Sequence, residues 1–234
     1  MGNEWGAVVV AAGRGTRMGT AESKQYLLLR DKPILVHTLE TFQSMAEIAE
    51  IALVVGKDDI GRCSEWTSRY GLTKVRAIVE GGRERQHSVM RGLAALGTDW
   101  AMVHDGVRPF VRASSIRACC AAAERVGAAV LAVPVKDTIK QVGPDGLIAS
   151  TPDRRSLWAI QTPQAFRRSL LQEALERAAA EGFLGTDDAM AVERTGAPVA
   201  VVEGDYTNIK ITTPDDLAWA EFLLNRRDGE GNGA

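Results

Sequence analysis

At 234 residues, with 45% hydrophobic and 25% charged positions, the chain is long enough to bury a sizeable core within a single α/β domain. Its 28 Lys and Arg against 30 Asp and Glu leave a net charge of −2, which excludes the basic excess of a nucleic-acid binder and points to a small charged metabolite as partner. No apolar run approaches the roughly 20 residues that span a bilayer, so no membrane contact is expected.

The chain starts directly in a predicted strand, without a signal or transit pattern, and a cytoplasmic location is expected. Cys63, Cys119 and Cys120 are odd in number and contain no C-x-x-C pair, and His37, His87 and His104 are the only histidines. Neither a disulfide framework nor a zinc site follows, and the thiols read as small buried hydrophobes.

Short β-branched runs predict buried strands at 8–12, 51–55, 75–79, 101–104, 128–134 and 199–202. Amphipathic stretches predict helices at 33–44, 58–70, 85–95 and 114–126, the last capped by Ser114 or Ser115 and ended by Gly127. The alternation implies a doubly wound, mostly parallel sheet. Residues 138–142 and 147–151 flank Gly143-Pro144-Asp145-Gly146, which is hairpin chemistry. Such a hairpin has little to pack on in a wound sheet and predicts an arm that pairs with a second copy; a surface decoration on a monomer is the other reading. Thr213-Pro214-Asp215-Asp216 starts a terminal helix through Leu224, with its two acids favoured by the helix dipole. A single domain over 1–227, an arm at 137–158 and a disordered tail at 228–234 complete the expected organisation.

The first strand runs into Gly13-Arg14-Gly15-Thr16-Arg17-Met18-Gly19, with Lys24-Gln25-Tyr26 beyond. A glycine-bearing loop with two nearby cations suits a chain of phosphates. Its G-x-G-x-x-x-G spacing matches neither a Walker A loop nor a dinucleotide fingerprint. The next strand also ends in Gly56-Lys57 where a dinucleotide site would place an acid.

Asp105, in His104-Asp105-Gly106-Val107-Arg108-Pro109, closes a buried strand at the carboxyl edge of the sheet, where a lone acid suits Mg²⁺ held together with phosphate oxygens. A salt bridge or turn cap with Arg108 is the structural alternative. Gly81-Gly82-Arg83-Glu84-Arg85-Gln86-His87-Ser88 follows another strand and opens a helix, which lets backbone approach a flat base or a sugar. Thr162-Pro163-Gln164, Thr186-Asp187-Asp188 and Asn208-Ile209-Lys210 are polar patches in turn-like or strand-end settings, and Asp187 suits a helix N-cap.

Taken in order with Asp137-Thr138 and Asp153-Arg154, these motifs resemble the 2-C-methyl-D-erythritol 4-phosphate cytidylyltransferase family from about Val8 to Leu224. The resemblance implies the nucleotidyltransferase version of a Rossmann-like fold and transfer of CMP from CTP to a phosphorylated polyol, with Mg²⁺ and release of pyrophosphate. It implies that Ala11, Ala12, Gly13, Gly15, Gly82, Arg83, Ser88 and Gly106 hold the nucleotide. Arg17 and Lys24 would meet the triphosphate, and Asp105 the metal. Asp105, Arg108, Thr138, Thr162, Thr186 and Lys210 would line the acceptor side. Arg154 would reach from the arm into the partner's site in a homodimer, and Arg17, Lys24, Arg154 and Lys210 would carry catalysis. Ribitol 5-phosphate cytidylyltransferases are similar over the same motifs, and a nucleotide-binding regulator of the same fold is the non-enzyme alternative. The charge set of Arg17, Lys24, Asp105 and Lys210 exceeds what binding alone requires. The acceptor phosphate is already anionic near neutral pH, so no general base is expected.

Overall fold

The computed structural model describes residues 3–13 and 22–231. Strand β1 (Trp5–Val10) precedes a 3-10 turn at Lys24–Tyr26, the short strands β2 (Leu28–Leu29) and β3 (Lys32–Pro33), and helix α1 (Ile34–Gln43). Then β4 (Ile48–Val55), α2 (Ile60–Arg69), β5 (Val75–Glu80), α3 (Arg85–Ala94), β6 (Trp100–Asp105), α4 (Ala113–Val126) and β7 (Ala128–Pro134) alternate. The hairpin strands β8 (Gln141–Val142) and β9 (Ile148–Ser150) interrupt the rhythm. They are followed by β10 (Trp158–Arg167), α5 (Arg168–Ala180), α6 (Asp188–Glu193), β11 (Ala200–Glu203) and α7 (Pro214–Gly231).

A seven-stranded sheet runs β11-β7-β10-β6-β1-β4-β5, with β10 antiparallel to both neighbours and the other pairs parallel. The doubly wound, mostly parallel sheet expected from the sequence is therefore present. Strand pleating divides β1 between two cores. Ala7 and Val9 join Leu39, Phe42, Cys63 and Ile116 from α1, α2 and α4 on one face, while Val8 joins Val89, Leu93, Leu171 and Leu175 from α3 and α5 on the other. Each fully buried aliphatic side chain contributes about 1.5–3 kcal/mol, so the two faces together anchor the sheet that carries the site. A smaller cluster packs Val107, Phe110 and Ile211 against Ala220 and Leu223 of α7. The last helix is thereby a buttress for the segments around Arg108 and Lys210.

Several local expectations change. Helix α4 begins at Ala113 after Arg112, so Ser114 and Ser115 lie inside its first turn and do not cap it; Gly127 does end it, in the left-handed conformation. The final helix continues to Gly231, past the expected end at Leu224 and into the segment expected to be disordered from Asp228. Its start matches the sequence: Asp216 Oδ2 accepts from the Thr212 and Thr213 N–H groups at 2.8 and 2.9 Å. Thr162-Pro163-Gln164 is neither a turn nor a strand end but the middle of β10, where the pairing register with β7 breaks between Ile160 and Gln164. Proline cannot donate to a sheet ladder, and the break in register is where a central strand tolerates it.

Candidate active site

The parallel strands bring their carboxyl ends to one edge. Val10 pairs with Val54 on one side and Asp105 on the other, and Val55 pairs with Glu80. Ala11 N–H donates to the Val54 carbonyl and Gly81 N–H to the Val55 carbonyl, each at 2.7 Å, so the segments leaving β1 and β5 start side by side. A Cβ added to Gly81 would come within 2.3 Å of Ala12 Cβ, and one added to Gly82 within 2.3 Å of His87 Cβ. Glycine is needed at both because the Cβ of a neighbouring residue already occupies the space a side chain would take.

Side chains brace this edge from behind. Gln25 Nε2 donates to the carbonyls of Ala11 at 2.8 Å and Gly13 at 3.1 Å, tying the Lys24–Tyr26 turn to the first loop. Ser88 Oγ accepts from Gly82 N–H at 3.0 Å and lies 3.2 Å from the Glu84 carbonyl, to which it donates. Ala11, Ala12, Gly13, Lys24, Gly82 and Ser88 with Arg83, Asp105 and Lys210 enclose a cavity of about 200 Å³.

A second cavity, of about 270 Å³, adjoins it, lined by Arg108, Thr162, Gln164 and Thr186 among others. Arg85, Asp105 and Lys210 line both cavities and form the wall between them. Lys210 Nζ lies 3.0 Å from Asp105 Oδ2, and the Nε atoms of Arg85 and Arg108 lie 3.5 Å from the two carboxylate oxygens. Burial pushes the Asp105 carboxyl up, but Lys210, Arg85 and Arg108 outweigh it and hold the group below the usual carboxylate range. Two cations of the wall, with Arg108 beside it on the second cavity, thus surround one ionised acid.

Outer contacts fix those cations. Arg85 is held by Asp188, with Nη2 2.8 Å from Oδ2 and Nη1 2.9 Å from Oδ1. Arg108 Nη1 donates to the Asn208 carbonyl at 2.7 Å. Gln164 Nε2 donates to Asp187 at 2.9 Å while its Oε1 accepts from the Asp188 and Ala189 N–H groups, docking the start of α6 on β10. Asp187 caps α6 through Met190 N–H at 2.9 Å, as its sequence context predicts. Burial lowers His104 to about 4, so the ring is neutral.

The sequence profile of the 2-C-methyl-D-erythritol 4-phosphate cytidylyltransferase family matches residues 6–226. The chain belongs to this family. A 2-C-methyl-D-erythritol 4-phosphate cytidylyltransferase of Geobacillus kaustophilus is 50% identical over 226 residues, 96% of this chain and 98% of that protein. The crystal structure of 4-diphosphocytidyl-2C-methyl-D-erythritol synthase from Anaerococcus prevotii is similar with a TM-score of 0.85 at 34% identity, over 95% of this chain and 96% of that one. The 2-C-methyl-D-erythritol 4-phosphate cytidylyltransferase of Thermus thermophilus is similar with a TM-score of 0.77 at 34% identity, over 93% and 98%. The chain is accordingly a nucleotidyltransferase.

Within this cytidylyltransferase family member, the residues expected at the nucleotide and acceptor sides fall largely into the two cavities. Gly106 is the exception on the nucleotide side: it lies behind the first loop, its N–H on the Val10 carbonyl at 2.9 Å and its carbonyl accepting from Thr38 Oγ1 at 3.0 Å. Thr138 and Arg154 line neither cavity of their own chain; Arg154 is exposed and donates to the Lys136 carbonyl at 2.9 Å. Gly15 and Arg17 lie outside the described residues. Sequence reasoning passed over Arg85, Asp188, Gln25 and His104 as site residues. Arg85 and Asp188 sit inside motifs already singled out, but 103 positions separate them, and no spacing rule joins them.

Proposed function

We propose that the chain transfers CMP from CTP to 2-C-methyl-D-erythritol 4-phosphate, giving 4-diphosphocytidyl-2-C-methyl-D-erythritol and pyrophosphate, in the non-mevalonate isoprenoid pathway. The observation that carries this reading is the pair of cavities divided by a wall of Arg85, Asp105 and Lys210. Two anionic substrates can lie on either side of it with their reacting atoms meeting at the wall.

An oxygen of the acceptor phosphate forms the new bond to the α-phosphorus of CTP as the bond to the β-phosphate oxygen breaks, and pyrophosphate leaves. A phosphate monoester is dianionic above about pH 6 and needs no base to activate it. The barrier is charge: like unit charges about 4 Å apart repel by on the order of 4 kcal/mol at an effective dielectric near 20. Lys24 on the nucleotide side, Arg108 on the acceptor side, and Arg85 with Lys210 between them supply the opposing charge, together with Arg17. Ala11 to Gly13, Gly82, Arg83 and Ser88 hold the cytidine. Thr186 lies at the acceptor end.

The donor set fits a hard divalent cation. Asp105 is a hard oxygen donor that lines both cavities, which suits an ion such as Mg²⁺ that takes one or two carboxylates and completes its shell with water and phosphate oxygens. Asp105, ionised and open to both cavities, would hold it; when bound, it would neutralise triphosphate charge.

The hairpin supports a homodimer. Val142, Leu147 and Ile148 are 60%, 68% and 63% exposed on the β8–β9 arm, an apolar tip that suits a second copy. Arg155 is closed on Asp153 at 2.6 Å, so Arg154 is the arginine suited to reach a partner's site, with Thr138 at the arm's base. No helix among the described residues is long and apolar enough to cross a membrane. The proposed reaction uses soluble substrates, and the cytoplasm is its proposed location.

Purified protein with Mg²⁺ and CTP should release pyrophosphate with methylerythritol phosphate and far less with ribitol 5-phosphate. Faster release with ribitol 5-phosphate would reassign the acceptor. Release with neither would overturn the reading.

A further inference from the structure

Thr162 lines the acceptor cavity, yet its hydroxyl is committed inside the protein. Asp105 N–H donates to Thr162 Oγ1 at 3.0 Å, and Oγ1 lies 3.1 Å from His104 Nδ1. His104 Nε2 faces the Arg108 carbonyl at 3.1 Å; a carbonyl only accepts, so Nε2 carries the ring hydrogen. The ring is fully buried, with Phe42 tilted against it at 5.0 Å between centroids. Nδ1 is then the bare nitrogen and accepts from the Thr162 hydroxyl. A hydroxyl has a single hydrogen, and its remaining lone pair can only accept. The Thr162 hydroxyl therefore has no hydrogen bond to donate to a phosphate.

The arrangement completes the sheet beyond the last β10–β6 pair. That ladder ends at Gln164 opposite Val103, and past it the Thr162 hydroxyl takes up the Asp105 N–H that would otherwise be orphaned at the end of β6. We propose that His104 is a positioning residue for the transfer. Through the Thr162 hydroxyl and the Arg108 carbonyl it fixes Asp105 and Arg108 at the acceptor cavity, and that hydroxyl is its link, not a donor to the acceptor phosphate. The inference rests on the cytidylyl-transfer reading of the two cavities.

Steady-state kinetics on the full chain tests it, once wild-type pyrophosphate release has been measured. Thr162→Val should lower kcat roughly tenfold, the worth of about one buried hydrogen bond, with KM for methylerythritol phosphate within about twofold of wild type. Thr162→Ser should recover most of the rate, and His104→Gln, which can keep a donor for the Arg108 carbonyl but places no acceptor at the Nδ1 position facing Thr162, should match Thr162→Val. The double variant should be no slower than the slower single one, because both cut one link. A rise in acceptor KM with unchanged kcat in Thr162→Val, or losses that multiply in the double variant, would overturn the inference. If His104→Gln does not fold, the Thr162→Val and Thr162→Ser split decides alone. Should the wild type turn over neither acceptor, the cytidylyl-transfer reading fails, and the imidazole ¹⁵N spectrum still decides the link. A bare Nδ1 whose resonance moves in Thr162→Val supports it, and an Nδ1 indifferent to that change overturns it.

Discussion

Arg85 stands between two carboxylates, one buried behind it and one at the wall of the site. Its partner Asp188 has only 2% of its side chain exposed, whereas Arg85 is 31% exposed. Removing the arginine leaves a buried acid without its cation, at a cost near the low end for a broken buried pair, about 3 kcal/mol, since water reaches one side of Arg85. Arg85→Met should therefore lower unfolding stability by about that amount in denaturant titrations. Arg85→Met with Asp188→Leu should recover most of the stability but not the rate, because charge at the wall is still missing. Equal recovery of both would make the pair purely structural. Asp105 sets a pH dependence. Its folded carboxyl lies below the unfolded value of about 3.9, so it contributes stability above that pH, and the contribution is lost as pH falls through the folded value. The stability difference between wild type and Asp105→Asn should be constant from neutral pH down to about 4 and shrink below it. A difference that grows in acid would contradict the assignment of Lys210, Arg85 and Arg108 as its partners.

At the scale of elements, the site is made where loops from separate strands touch. Gly81 is the sharpest case, since a methyl there meets Ala12 of the opposite loop at 2.3 Å. Gly81→Ala should part the two loops and raise KM for CTP roughly tenfold, about 1.4 kcal/mol of binding, while leaving KM for methylerythritol phosphate nearly unchanged. An equal effect on both substrates would mean that the loops do not belong to the nucleotide alone. Much of this was legible in sequence, because parallel strands buried on both faces leave uninterrupted apolar runs and their loops carry glycines at the edge. β10 and α5 were not legible, and of α6 only its Asp187 cap was. Pro163 argues against a central strand, and only the register break against β7 between Ile160 and Gln164 reconciles it with one. Thr162 reaches His104 from this strand, so the buried bracing of the site was hidden with it. Arg85 and Asp188 were hidden for a different reason: their pairing depends on how α3 and α6 dock, which no local pattern encodes.

At the scale of the whole molecule, the two cavities lie within one chain, but Thr138 and Arg154 line neither. The arm that carries Arg154 ends in exposed apolar side chains, so the homodimer and the use of Arg154 across subunits stand or fall together. Subunit mixing separates the possibilities. Lys24→Ala removes a cation from a chain's own nucleotide cavity, and Arg154→Ala removes one from the partner's site that the arm is proposed to reach. Each variant alone should be nearly inactive. Unfolded together in equal amounts and refolded, they should form about half heterodimers, each with one of its two sites complete, and so recover about a quarter of wild-type activity. If Arg154 served its own chain, the heterodimer would contain no complete site, and mixing would restore nothing. Changing Leu147 and Ile148 to Ser in both variants should abolish the recovery and give monomers in sedimentation, because the apolar tip proposed to join the subunits would be gone.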